Sequence, residues 1–260
     1  MDIICSKEVG NFMEDKTAII IPARYGSTRL EGKPLLEVLG KPVIQWVYEK
    51  AMQAKLSDMV IVATDDERIL NAVKAFGGNA EMTSINHKCG SDRIMEVVNR
   101  HPEIKYIVNL QGDEPLIEPA AIDEVAKNVQ QDDKADISTL VRILHDEDEI
   151  NNPNLVKCVI DKFGYALYFS RSKIPFERHT NADNFYGHLG IYGYKREALT
   201  KMTSLPQTPL EKTESLEQLR ALENGMKIKT SVVDFVPVGI DTKDDLEKFK
   251  EIVSKKLSKI

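Results

Sequence analysis

Short apolar runs alternate with longer amphipathic stretches along the first half of this chain, and that rhythm restricts the fold more than any single motif. The runs Thr17–Pro22, Met59–Ala63, Tyr106–Leu110 and Ile137–Ile143 are predicted strands. Between the first two, Val43, Ile44, Val47, Tyr48, Ala51 and Met52 fall on one stripe, which predicts a helix over Lys41–Ala54. Asp66–Phe76 is a shorter example. Strands joined through helices pack as a mostly parallel sheet covered on both faces, so the class is α/β. After about Asn151 the rhythm changes. The runs "LVKCVID" and "YALYFSR" flank Lys162, Phe163 and Gly164 as a hairpin, and "GHLGIYGY" is a further strand. This inserted β layer is the expected place for a second lobe or a dimer surface. A helix carrying "ESLEQLRAL", a strand at Ile228–Val233 and a closing helix from Asp244 complete the reading.

Composition removes several function classes. The 260 residues suffice for one large α/β core or two small ones. A net charge of −6 argues against a general nucleic-acid binder. No apolar run approaches the roughly 18 residues of a membrane span, and the polar, acidic start does not read as a signal peptide. Cys5, Cys89 and Cys158 are odd in number and scattered, which implies neither a disulfide framework nor a zinc site. A cytoplasmic location is therefore expected. Residues Met1–Lys16 are polar and without a clear period, and are read as a disordered tail, with Met13 as an alternative start.

The first strand runs into "IIIPARYGSTRLEGKPLL", where Arg24, Arg29 and Lys33 gather around Gly26 and Gly32. A Walker A loop is excluded, because five residues separate the glycines and Pro34 follows the lysine. There is no GxGxxG fingerprint. A lone arginine would pass as a solvated loop residue. Three long cations between two glycines, at the carboxyl end of a strand, favour a phosphate site. No HxH or HExxH pair and no GxSxG elbow is present, so no covalent intermediate is assigned.

The strings "IPARYGSTRLEGKPL", "VATDDERI", "CGSDRI", "NLQGDEPLI", "YALYFSRSKIP", "HLGIYGY", "ESLEQLRALENG" and "GIDTKDDLEKF" occur in order from about Ile19 to Phe249. Together they resemble the 3-deoxy-D-manno-octulosonate (Kdo) cytidylyltransferase family, the CMP-Kdo synthetases. The resemblance implies a nucleotidyltransferase-like three-layer fold with an inserted β region for dimerisation and sugar binding. It also implies a homodimer, Mg²⁺ dependence, and the reaction of CTP with Kdo to give CMP-Kdo and pyrophosphate for lipopolysaccharide. On this reading 17–260 is one domain, with 17–150 binding the nucleotide and 151–240 the sugar and the partner subunit. No nucleic acid or membrane partner is implied.

Carried over residue by residue, the resemblance makes Arg24, Lys33, Asp113 and Asp241 catalytic. Arg24, Ser27, Thr28, Arg29, Lys33, Cys89, Gly90, Ser91 and Arg93 are expected at the nucleotide. Arg93, Gln111, Arg171, His188, Tyr192, Glu217 and Gln218 are expected at the sugar. Asp113 and Asp241 suit Mg²⁺, a hard cation that prefers oxygen ligands. Carboxylates near strand ends are often helix caps instead, a reading that fits Asp241 less well because Thr242 can cap the last helix. Tyr192 alone would serve equally as core, and Glu217 alone as a solvated helical charge. His188 and Tyr192 are an even number apart and share one strand face. The chain departs from the family at Cys89, where serine is usual, and at Glu31 and Lys243, where proline is usual. A thiol at a helix N-terminus is expected to ionise readily. A cytidylyltransferase for 8-amino-Kdo or a sialic-acid relative is the nearest alternative. A catalytically silent nucleotide-binding relative is disfavoured by the retention of Arg24, Lys33, Asp113 and Asp241.

Overall fold

The computed structural model describes residues 14–26, 30–179, 184–236 and 238–257. Strand β1 (Lys16–Ala23) is deeply buried, and its run Ala18–Ile21 is inaccessible to solvent. Ala18 and Ile20 point into one core, Ile19 and Ile21 into another. A strand apolar on both faces belongs inside a covered parallel sheet. A short ribbon, β2 (Glu37–Val38) with β3 (Lys41–Pro42), precedes α1 (Val43–Ala51). This helix is shorter than predicted because Lys41 and Pro42 are taken by the ribbon.

Next come β4 (Met59–Thr64), α2 (Glu67–Ala75), β5 (Ala80–Met82), α3 (Gly90–Arg100), β6 (Ile104–Asn109), α4 (Pro119–Gln131) and β7 (Ile137–Leu144). Asp66 caps α2 by accepting the Arg68 N–H. After α5 (Glu147–Asn151), the predicted hairpin forms as β8 (Lys157–Ile160) and β9 (Ala166–Ser170), and β10 (Phe185–Lys195) follows. The chain closes through α6 (Arg196–Ser204), α7 (Pro209–Glu214), α8 (Gln218–Glu223), β11 (Ile228–Val232) and α9 (Lys243–Leu257).

The sheet order is β11-β7-β10-β6-β1-β4-β5, with β8 and β9 attached along β10. β1 pairs in parallel with β4 and β6, whereas β10 is antiparallel to β6, β7 and β8. Helices α3, α6 and α8 cover one face, and α1, α2 and α4 the other, which makes three layers. A smaller cluster seats α9 through Phe249, whose ring meets Trp46 edge-on at 5.7 Å. The inserted β region is thus an extension of the main sheet.

Two expectations are corrected. Lys16, assigned to the tail, is the first residue of β1, and Asp15 pairs with Lys105 at 2.5 Å; the rest of the tail lies largely outside the described residues. The stretch around "ESLEQLRAL" is not one helix. α7 ends at Glu214, Ser215 takes a left-handed conformation (φ 53°), and α8 starts only at Gln218.

Candidate active site

Because β1 and β6 are parallel neighbours, their carboxyl ends open onto one crevice. The loop after β1 returns on itself where the Gly32 N–H donates to the Tyr25 carbonyl at 2.9 Å. Gly32 has φ 66°, and a Cβ there would lie 3.1 Å from the Tyr25 ring, so the turn requires glycine. The Arg68 guanidinium stacks on the same ring at 3.3 Å while its two nitrogens hold the Asp66 carboxylate. Ser27, Thr28 and Arg29 lie outside the described residues.

The loop after β6 presses against this turn: a Cβ on Gly112 would meet the Pro22 carbonyl at 3.2 Å. Farther along the chain, the Ile240 N–H donates to the Asp113 carbonyl at 2.9 Å, which brings Asp241 beside Asp113. Thr242 and Asp245 bond each other reciprocally at the start of α9, so the helix is capped without Asp241. Asp113 likewise caps nothing, since α4 begins after Glu118. Lys33 Nζ joins the two carboxylates, donating to Asp113 Oδ2 at 2.7 Å and Asp241 Oδ1 at 3.2 Å.

These groups line a cavity of about 440 Å³ together with Arg24, Arg93, Gly90 and Gln111. Arg93 is almost fully buried, and its guanidinium donates to Asp65 Oδ2 at 2.6 Å and Thr83 Oγ at 2.5 Å. Sequence reasoning missed Asp65 and Thr83. A signal for Asp65 was available: in "TDDER" the second aspartate caps α2, which leaves the first for the crevice.

A smaller cavity, about 150 Å³, shares Gly90 and Gln111 with the first and adds Ser91, Tyr192, Glu217 and Gln218. Asn109, Tyr194 and Met202 also line it and were missed. Tyr194 was within reach, because strand alternation puts it on the face of Tyr192, ring to ring at 6.0 Å. Ser91 Oγ donates to Glu217 Oε2 at 3.1 Å. Glu217 Oε1 is buried and accepts no hydrogen bond among the described residues, and burial raises the pKa of this carboxyl. Oε1 lies 3.9 Å from an Arg220 guanidinium nitrogen, so this carboxyl stands between the smaller cavity and Arg220.

Four expected ligands stand elsewhere, His188 among them because it lines neither cavity. Ser91 is turned to the smaller cavity, away from the larger one. Cys89 lines a third hollow of about 400 Å³ with Glu211, Arg220 and the outer side of Glu217. Burial, with the charge of Glu217, pushes its thiol up to about 12, so the expected easy ionisation is reversed. The Arg171 guanidinium is engaged by the carbonyls of Pro153, Glu214 and Ser215 and is not among the residues lining the two joined cavities.

His188 and Tyr192 do share a face, with ring centroids 5.3 Å apart. The Thr139 hydroxyl lies 2.7 Å from the Ile191 carbonyl, 3.1 Å from the Leu189 carbonyl and 2.9 Å from His188 Nε2; when it donates to a carbonyl, it accepts from an Nε2-protonated His188. Burial lowers the His188 pKa from 6.5 to about 3. The unfolded chain then binds a proton below about pH 6.5 that the folded one refuses, so stability falls with pH, by about 1.4 kcal/mol per unit from this group. Urea unfolding between pH 6.5 and 4.5 should show that extra slope in the wild type and lose it in His188→Gln; equal slopes would mean that His188 protonates normally.

Arg220 and Glu211, which wall the third hollow, form a bidentate pair, with side chains 8% and 5% exposed. Burial pushes the Glu211 carboxyl up, but the Arg220 bonds outweigh it and hold the pKa low. Glu211→Gln should therefore cost about 3–5 kcal/mol in urea unfolding, because buried Arg220 keeps only the more distant Glu217 carboxyl, at 3.9 Å, as a charge partner. Recovery of most of that loss in Glu211→Leu/Arg220→Met would identify the loss of close charge pairing as the cause.

Paired carboxylates and a basic loop at the carboxyl ends of parallel strands define an α/β nucleotidyltransferase. The chain belongs to the 3-deoxy-manno-octulosonate cytidylyltransferases, within the cytidylyltransferase family whose model matches residues 18–228. The Thermodesulfovibrio yellowstonii 3-deoxy-manno-octulosonate cytidylyltransferase is 50% identical over 244 residues, covering 89% of this chain and 95% of its own. That of Vibrio cholerae is 48% identical over 252 residues, covering 92% and 98%. A solved CMP:2-keto-3-deoxy-manno-octonic acid synthetase complexed with CTP superposes with a TM-score of 0.89 at 42% identity, covering 93% of this chain and 99% of that one. The Anaerococcus prevotii 4-diphosphocytidyl-2C-methyl-D-erythritol synthase has a TM-score of 0.61 at 15% identity, covering 92% and 96%, a likeness of fold alone.

Proposed function

We propose that this enzyme transfers the cytidylyl group of CTP to the anomeric hydroxyl of Kdo, releasing pyrophosphate and forming CMP-Kdo for lipopolysaccharide. The larger cavity takes the triphosphate and the smaller one the sugar. The observation that carries this reading is the junction of the two cavities at Gly90 and Gln111, beside the Lys33–Asp113–Asp241 cluster. An acceptor hydroxyl in the smaller cavity and a phosphorus in the larger one can meet there.

The chemistry forms one oxygen–phosphorus bond and breaks another, with no protein nucleophile. Positioning and charge neutralisation supply the acceleration. Arg24 and Lys33 neutralise the triphosphate, and Arg29 is assigned to the same task by its place in the loop. Glu217, Gln218 and the Tyr192 hydroxyl bind sugar hydroxyls, and Gln111 spans both substrates. Asp113 and Asp241 suit a divalent cation, since both already converge on one ammonium within 3.2 Å. Mg²⁺ held there would act as a Lewis acid on the triphosphate and the attacking hydroxyl.

The enzyme is assigned to the cytoplasm, and no described helix is long and apolar enough to cross a membrane. A homodimer is supported by exposed Phe163, Leu167 and Phe176 on the β8–β9 hairpin and the segment after it. The deciding experiment is a pyrophosphate-release assay crossing the four nucleoside triphosphates with Kdo, 8-amino-Kdo and N-acetylneuraminate. Turnover confined to CTP with Kdo is expected. Strict dependence on either other sugar would move the acceptor assignment.

A further inference from the structure

Lys157 is fully buried, yet no carboxylate among the described residues pairs with its ammonium. Its three N–H donors go to three carbonyls: Asn152 at 2.7 Å, Leu155 at 2.6 Å and Arg171 at 2.7 Å. An ammonium withdrawn from water with no carboxylate in contact is costly, so this one is held by full donor satisfaction, with the more distant Glu214 charge in support. Burial, and then the charge of Arg171, lower its pKa.

What the ammonium holds is informative. Asn152 and Leu155 belong to the segment between α5 and β8, and Arg171 directly follows β9. From Arg171 the network continues outward. Its backbone N–H donates to Glu214 Oε2 at 3.0 Å, its Nε to the Glu214 carbonyl at 2.8 Å, and one terminal nitrogen to the Pro153 carbonyl at 3.1 Å. Ser170 Oγ fixes the other Glu214 carboxylate oxygen at 2.6 Å. Glu214 is the last residue of α7, and the left-handed Ser215 then turns the chain so that Glu217 and Gln218 enter the smaller cavity. On the opposite side, the carbonyl of Val156, next to Lys157, accepts the His188 N–H at 2.8 Å.

We propose that Lys157 is a positioning residue for the acceptor half of the site. Through its carbonyl cage it holds Arg171, and through Arg171 the α7–α8 turn that presents Glu217 and Gln218. The role assigned to the sugar rests on placing the acceptor in the smaller cavity; the mechanical part does not. Lys157→Met should therefore raise KM for Kdo about tenfold while KM for CTP stays within about twofold, since small misplacements of binding groups are expensive. A purely structural lysine would change both constants together or neither.

Amide hydrogen exchange provides a readout free of turnover. In Lys157→Met, the amides of Leu216, Leu219 and Arg220 should exchange at least about tenfold faster, with β1 and β4 unchanged. Arg171→Met breaks the same network at a partly exposed side chain and should reproduce both changes. Adding Lys157→Met to it should alter KM for Kdo by less than about twofold, because residues acting in one chain are not additive. If Lys157→Met does not fold, Arg171→Met alone decides. A raised KM with unchanged exchange at Leu216–Arg220 in Arg171→Met would make Arg171 a direct sugar ligand and overturn the proposal. Unchanged exchange in Lys157→Met would do the same. Failure of the wild type to use Kdo would instead remove the acceptor assignment, with exchange still deciding the mechanical link.

Discussion

Asp113→Asn and Asp241→Asn are each expected to lower turnover by about a thousandfold or more, with the melting temperature nearly unchanged. The two side chains are 31% and 48% exposed and lie at a crevice, so an isosteric amide removes little packing. It does remove the charge, and an amide is a far poorer ligand for a hard divalent cation. Each variant still leaves Lys33 tied to the remaining carboxylate, which keeps the loop in place. Activity titrated with Mg²⁺ to saturation separates the possibilities. Near-normal turnover at saturation in either variant would take that aspartate out of the catalytic cluster.

Lys33→Met should cost about a hundredfold to a thousandfold in turnover and also raise KM for CTP, because one ammonium serves the triphosphate in both ground and transition states. A second effect is opposite in sign. Without the ammonium, Asp113 and Asp241 lose the cation they share, so divalent binding to the nucleotide-free protein should become tighter than in the wild type. Calorimetric Mg²⁺ titration of the two proteins checks this, and equal affinities would show that the lysine and the metal do not compete for the same carboxylates.

How much of this was legible beforehand depended on whether the cause was local. Strand β1 was readable because a strand covered on both faces has to be apolar throughout. The β8–β9 hairpin was readable because Asp161 and Gly164 build its turn from within: Asp161 Oδ1 accepts the Phe163 and Tyr165 N–H groups, and Gly164 has φ 80°. The break between α7 and α8 was not readable. It accompanies contacts of Glu214 with Ser170 and Arg171, more than forty residues away. The meeting of Asp113 with Asp241 also depends on one distant backbone bond, from Ile240, so only the family strings suggested the pair. Cys89 misled because a helix N-terminus favours a thiolate, whereas its actual surroundings are buried and acidic.

The register of β10 has a separate consequence. Leu189 faces Leu140 on β7, but Tyr192 faces Thr139, so two extra residues, Gly190 and Ile191, are absorbed between two adjacent partners. Ahead of this slack, β10 pairs with β8 of the hairpin; beyond it, with β6, the strand that delivers Asp113. A shift of alignment on the hairpin side can be taken up there without being transmitted to the pairing with β6. The hairpin end of β10 can therefore drift in register while Tyr192 and Tyr194, which line the smaller cavity, stay paired with Asn109 and Ile107 of β6.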